Sequence, residues 1–221
     1  MRERTEDRAR ARSVERAQRE SAVRDRVRCT WAGSAPEYVA YHDDEWGRPL
    51  HGVAPLFERL SLEAFQSGLS WLVILRKRPA FRAAFAGFDP AVVAGFDADD
   101  VARLLGDAGI VRNRLKVEAT IANARAVLDL RDAGTGLHEV VWAHRPDPAR
   151  PAPASWGDVP PVTPESTALA KALKKHGFRF VGPTTAYASM QACGLVNDHL
   201  AGCVARPATE AAQAAVVVPG A

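Results

Sequence analysis

The sequence has too few cysteines for a disulfide framework: three among 221 residues, at Cys29, Cys193 and Cys203. Such sparse thiols fit a reducing compartment. No apolar run approaches the ~18–20 residues needed to cross a bilayer. The Arg-rich start also lacks the apolar stretch of a secretory signal. The expectation is a cytoplasmic protein with no membrane partner. A strong charge of one sign is missing as well. The net charge is +3, but residues 1–28 hold ten arginines against six acids, so the remaining 193 residues sum to −1. Global charge therefore does not announce a nucleic-acid partner, and any electrostatic footprint has to be local. Absent too is the strand–helix alternation of a βαβ fold.

What is present is helical periodicity. Residues 1–27 have almost no large apolar side chains and read as a disordered Arg-rich extension. The folded domain spans 28–206, and the small-residue stretch 207–221 reads as a flexible tail. Within the domain, "PLFERLSLEAFQSG" predicts a helix with Pro55 at its first position and Leu56, Leu60 and Ala64 on one face. "PAFRAAFAGF" and "DPAVVAGF" predict two short helices. Asp97 is the expected N-cap of the next one. The longest is expected from about Arg112 to Arg131, and Thr163 with Pro164 should open another. "TTAYASMQACGL" and "NDHLAGC" predict helices near the end, and a short strand is possible at 178–181. The fold class is all-α.

Three features carry chemistry. "LLGDAGIVRNRLKVEA" has the layout helix, Gly-containing turn, helix. Hairpin amides around Gly109 and the second helix's N-terminus could hold a phosphate, with Arg112, Arg114 and Lys116 adding charge; an ordinary helical corner fits the pattern equally well. His199 and Cys203 stand four residues apart, so a helix would project both from one face, as half of a tetrahedral metal site. Cys29 and His42 are candidates for the other half. A buried thiol beside a surface histidine is the plainer alternative, and Cys193 reads as a core thiol.

Glu63 shares the apolar face of Leu56 and Leu60, so its carboxylate either meets an internal cation or lines a cavity. Trp71 follows closely, and "YHDDEWG" crowds Tyr41, His42 and Trp46 into seven residues, with Tyr38 just upstream. Aromatic faces around a buried acid suit a flat cation bearing an amine.

Together these segments resemble the bacterial 3-methyladenine DNA glycosylase I family, the zinc-containing branch of the helix–hairpin–helix glycosylases. The likeness rests on "RCTWAGSAPEYVAYHDDEWGRPL", "LFERLSLEAFQSGLSWLVILRKR", "DAGIVRNRLKVEATIANA", "TPESTALAKALKKHGFRFVG" and "MQACGLVNDHLAGC". It implies that family's fold, with one structural zinc per chain on Cys29, His42, His199 and Cys203 joining the N- and C-terminal segments. It also implies that Glu63 recognises an extruded base, that Trp71 stacks on it, and that Tyr41 and Trp46 line the slot beside Tyr38. The implied reaction hydrolyses the N-glycosidic bond of 3-methyladenine in alkylated double-stranded DNA. The products are free 3-methyladenine and an abasic site, and the enzyme is expected to be monomeric. Methylation makes the base cationic, which activates the leaving group. No lysine is evidently placed as a Schiff-base nucleophile, so a monofunctional glycosylase is expected. The Arg-rich extension and the Ala/Val-rich tail depart from the family pattern. Two other classes remain compatible with the residues: a zinc-stabilised DNA-binding module without catalysis, and a zinc hydrolase with an open coordination position.

Overall fold

Helices dominate the described chain, including two that the periodicity did not announce, at Pro36–Asp44 and Leu137–Trp142. A computed structural model describes residues 27–147 and 150–216, and among these residues there are ten α-helices, three 3₁₀ turns and no strand. The Arg-rich extension, Val27 apart, lies outside the described residues, as do the last five residues of the expected tail. The helices are α1 (Pro36–Asp44), α2 (Val53–Gln66), α3 (Trp71–Ala84), α4 (Pro90–Val93) and α5 (Ala98–Gly106). They continue as α6 (Arg114–Asp132), α7 (Leu137–Trp142), α8 (Pro164–Lys175), α9 (Pro183–Ala192) and α10 (Arg206–Ala214).

Side-chain caps set several of the starts. Asp97 accepts from the amides of Asp99 and Asp100, Asn113 from Lys116, and Thr163 from Ser166, each satisfying a donor the helix leaves free. α2 starts at Val53 rather than at Pro55, because Gly52 precedes it in a left-handed conformation (φ +90°) that ends the preceding loop. α3 replaces the expected short helix opening at Pro79. It begins at Trp71 and runs through the proline, which sits on its exposed side.

α2 is the central element and packs against α3, α6, α7 and α9. Its apolar face meets the fully buried Phe81, Phe85, Phe88 and Trp142 in the main core. A second, smaller core gathers Cys29, Tyr41, Trp46, Leu75 and Cys203 from distant parts of the chain. The two are sewn together where residues 47–50 run beside the end of α9. Gly47 N donates to Gln191 O at 3.1 Å, and Leu50 N donates to Cys193 O at 2.9 Å. Gly194 (φ +77°) is required here, because a Cβ would collide with the backbone of Arg48 and Pro49.

Three local expectations are corrected. "NDHLAGC" is a series of turns, not a helix: the Asn197 side chain accepts from His199 N, and Cys203 N bonds back to Leu200 O. Residues 178–181 form no strand, since Arg179 pairs its N and O with the Asn123 side chain at 2.7 and 3.1 Å instead of with another backbone. Residues 207–214, expected to begin the flexible tail, belong to α10. Thr209 is fully buried, and Gln213 donates to Gly47 O at 3.0 Å.

Candidate active site and metal centre

α2 carries two charged residues on its buried face, Arg59 and Glu63, one turn apart. Glu63 is 6% exposed and borders a cavity of about 290 Å³. Burial pushes its carboxyl up to about 7, and the Arg59 guanidinium pulls in the opposite direction. Arg59 donates to Tyr41 Oη at 2.9 Å and to Glu45 Oε2 at 3.3 Å. Its guanidinium also lies 5.2 Å from the Tyr41 ring centre and 5.9 Å from that of Trp71. Arg78 clamps Glu45 from the other side at 2.6 and 2.7 Å. Of the two sequence readings, the structure gives the cavity: Glu63 lines it, while Arg59 bonds to Tyr41 and Glu45 and reaches the acid only as a nearby charge.

The cavity walls are aromatic. Trp71, at the start of α3, lies 5.4 Å from Tyr41. Tyr38, one turn before His42 on α1, accepts from Leu72 N at 2.9 Å and so pins the start of α3. Trp46 follows α1 and meets Trp31 edge-on at 5.1 Å. All five sequence-predicted pocket residues, Glu63, Tyr38, Tyr41, Trp46 and Trp71, line this one cavity. Trp31, Gln191 and Trp156 also line it and had no assigned role in the sequence. Arg59 was missed too, although a cation four residues before Glu63 on the same face was the signal for it.

Behind Trp46 the chain gathers Cys29, His42, His199 and Cys203, all buried, with ligand atoms within 4.8 Å of one another. His42 Nε2 lies 3.2 Å from His199 Nδ1 and 3.3 Å from Cys203 Sγ. His199 Nδ1 lies 3.5 Å from Cys203 Sγ and 3.7 Å from Cys29 Sγ. These lengths are edges of one small tetrahedron. The outward ring nitrogens are both occupied: His42 Nδ1 is 2.8 Å from Asp43 Oδ1, and His199 Nε2 is 3.0 Å from Trp46 O. Asp43 is in turn held by Arg28. Such outer partners fix the ring orientations, leaving the inner nitrogens to face an ion. The two thiols are split in acidity. Their mutual proximity raises the Cys29 thiol, with burial adding to the rise, and lowers Cys203, which also meets both histidines. A divalent cation bound here takes the place of the thiol protons. Cys193 takes no part; it is a core thiol pushed up to about 12 by burial.

The hairpin residues separate. Arg112 and Arg114 are exposed, and Arg114 makes a solvent-side pair with Glu118. Gly109 lies close against Ala80, its amide is bound by Asp107 Oδ1, and Lys77 Nζ donates to its carbonyl. Lys116 is corrected: it is 7% exposed and donates to Phe65 O and Ser67 O, capping the end of α2. A buried ammonium committed to two carbonyls is not offered to a phosphate.

Fold and site together define a protein that is all-helical among its described residues, with four side chains arranged to hold a metal ion beside an acid-bearing aromatic pocket. The methyladenine glycosylase family model matches residues 31–206, and the chain belongs to that family. It is 48% identical over 183 residues to DNA-3-methyladenine glycosylase 1 of Escherichia coli K12, covering 81% of this chain and 97% of that protein. It is 43% identical over 180 residues to the DNA-3-methyladenine glycosylase of Haemophilus influenzae, covering 80% and 96%. A solved structure of 3-methyladenine DNA glycosylase I superposes with a TM-score of 0.79 at 48% identity, covering 82% of this chain and all of that one. A tyrosine-to-phenylalanine variant of a 3-methyladenine DNA glycosylase I, solved in complex with 3-methyladenine, gives 0.77 at 36% identity, covering 81% and 97%.

Proposed function

We propose that this chain extrudes 3-methyladenine from alkylated double-stranded DNA and hydrolyses its N-glycosidic bond, with the base held in the Glu63 cavity. The observation that carries the assignment is a buried carboxylate facing a cavity walled by tryptophan and tyrosine. A flat cationic purine stacks between such faces while the carboxylate accepts from its exocyclic amine. Methylation at N3 already places positive charge on the leaving group, so binding discrimination supplies much of the catalysis. Glu63 meets the base, Trp71 is the stacking face, and Tyr41, Trp46 and Tyr38 shape the slot. Arg59 holds Tyr41 in place and keeps the acid partly ionised.

Arg112 and Arg114 are the phosphate-attracting cations of a helix–hairpin–helix element formed by α5 and α6. A resident zinc suits the cluster. Two sulfurs at about 2.3 Å and two imidazole nitrogens at about 2.0–2.1 Å from one ion have tetrahedral edges matching the spacings above. Bound there, it serves as a cross-link between the start and the end of the folded domain, with no position left for water. The chain is read as a cytoplasmic monomer, its three free cysteines suiting a reducing compartment.

Incubation with methylated duplex DNA and chromatography of the released bases tests this reading. Free 3-methyladenine with intact strands is expected. DNA binding without base release would favour the non-catalytic module instead.

A further inference from the structure

Trp156 is the one pocket-lining aromatic, among the described residues, that does not come from the N-terminal half of the chain. It stands on a 3₁₀ turn, Trp156–Asp158, in the proline-rich loop between α7 and α8. A large aromatic on a surface loop ordinarily has no fixed place, but this turn is fixed twice. The Asp158 carboxylate accepts from Ser155 N at 2.8 Å and from Ser155 Oγ at 3.0 Å, closing a capping box. Just upstream, Pro153 O accepts from Ala201 N at 2.9 Å, tethering the loop to the segment between His199 and Cys203. The turn delivers the indole to the cavity mouth, where its centre lies 6.3 Å from Trp31, at 62°, and 6.3 Å from Trp46, at 45°. Yet Trp156 remains 42% exposed, more than any other aromatic of that cavity. The uncovered face is apolar surface that a ligand in the cavity would remove from water.

We propose that Trp156 is a substrate-contacting residue, closing the outer side of the pocket over the extruded base opposite the Glu63 and Trp71 side. The proposal rests on the base-pocket reading above and gives a role to a fourth indole of its walls, after Trp31, Trp46 and Trp71. Its chemistry is the one the other walls use. An indole face is the strongest aromatic partner for a cation, and stacking on a base is tolerant of small shifts.

The test is calorimetric titration with free 3-methyladenine, together with kcat/KM for base release from methylated duplex DNA. It compares the wild type with Trp156→Ala, Trp156→Leu, Trp156→Phe and Trp71→Ala. Trp156→Ala is expected to weaken binding and kcat/KM by about tenfold, in line with the loss of one stacking face. Trp156→Phe should recover most of that loss. The leucine variant keeps the loop's apolar bulk, so a loss there with an unchanged melting temperature isolates the aromatic face. Wild-type affinity in both the alanine and leucine variants, with binding destroyed in Trp71→Ala, would overturn the role of Trp156 and leave the pocket standing. Wild-type affinity in Trp71→Ala as well would remove the pocket reading, and this proposal with it.

Discussion

His199 touches the metal cluster with one ring nitrogen and the pocket wall with the other. Its Nδ1 faces Cys29, Cys203 and His42, while its Nε2 is 3.0 Å from the carbonyl oxygen of Trp46. The two rings meet edge-on at 4.7 Å. Trp31, two residues after Cys29, packs in the same way on His42 at 5.3 Å. The cluster and the cavity are therefore built back to back and share a wall.

Removing the metal should loosen that wall. One zinc per chain is expected by elemental analysis. Chelation, or Cys203→Ser, should lower the melting temperature, because a cross-link between residues 29 and 203 closes nearly the whole domain. It should also shift tryptophan emission and weaken binding of free 3-methyladenine, since Trp31 and Trp46 lose their backing. A protein that is metal-free as purified, with melting and binding unaffected by chelator, would contradict this.

The raised pKa of Glu63 has two pH consequences. Only the carboxylate pairs with a cationic base, so kcat/KM for excision should climb with pH through about 7 and level off above it. Stability runs the other way. The folded value lies above the unfolded one, so the native state holds the proton more tightly, and stability is lost as pH rises from about 4.5 through about 7. Glu63→Gln, which cannot ionise, should therefore melt at or above the wild-type temperature at pH 8, by an upper bound on the order of 3 kcal/mol. A flat excision profile between pH 5.5 and 8 would remove the ionisation of Glu63 from the mechanism.

The basic residues after the hairpin should part company. Arg112→Ala and Arg114→Ala should each weaken DNA binding and lower the slope of its salt dependence by about 1, at unchanged stability. Lys116→Ala should instead destabilise the fold by about 1–3 kcal/mol, by leaving the carbonyls of Phe65 and Ser67 without their donor. Denaturant melts and fluorescence anisotropy at several salt concentrations separate the two effects. Equal salt slopes in wild type and the arginine variants would remove the hairpin from the DNA-contact assignment.

The helices were legible because periodicity and caps agree: Asp97 and Thr163 stand where the sequence places them. The pocket was legible because Glu63 is an acid on an apolar face, and burial at that register follows from helix geometry alone. What failed needed tertiary knowledge. The spacing of His199 and Cys203 suggests a helix, but ligand geometry overrides it with turns that Cys29 Sγ supports through Leu200 N. α10 looks like a small-residue tail until the surface made by Gly47 and His199 is there to bury Thr209. Lys116 belongs by sequence to a basic cluster and by structure to the end of α2, because the helix face that carries it points inward. Trp156 sits in a proline-rich loop with no period to place it.

The most direct measurement is single-turnover release of 3-methyladenine from methylated duplex DNA by Glu63→Gln, beside the wild type and with melting temperatures recorded for both. The glutamine keeps the shape, removes the negative charge and puts a donor where an acceptor is wanted. Loss of a charge-assisted hydrogen bond in a buried site is worth about 1.5–3 kcal/mol, so excision should fall about 10- to 100-fold in a protein at least as stable as the parent. Wild-type excision by Glu63→Gln would mean that the buried acid is a structural partner of Arg59, and that base recognition lies elsewhere.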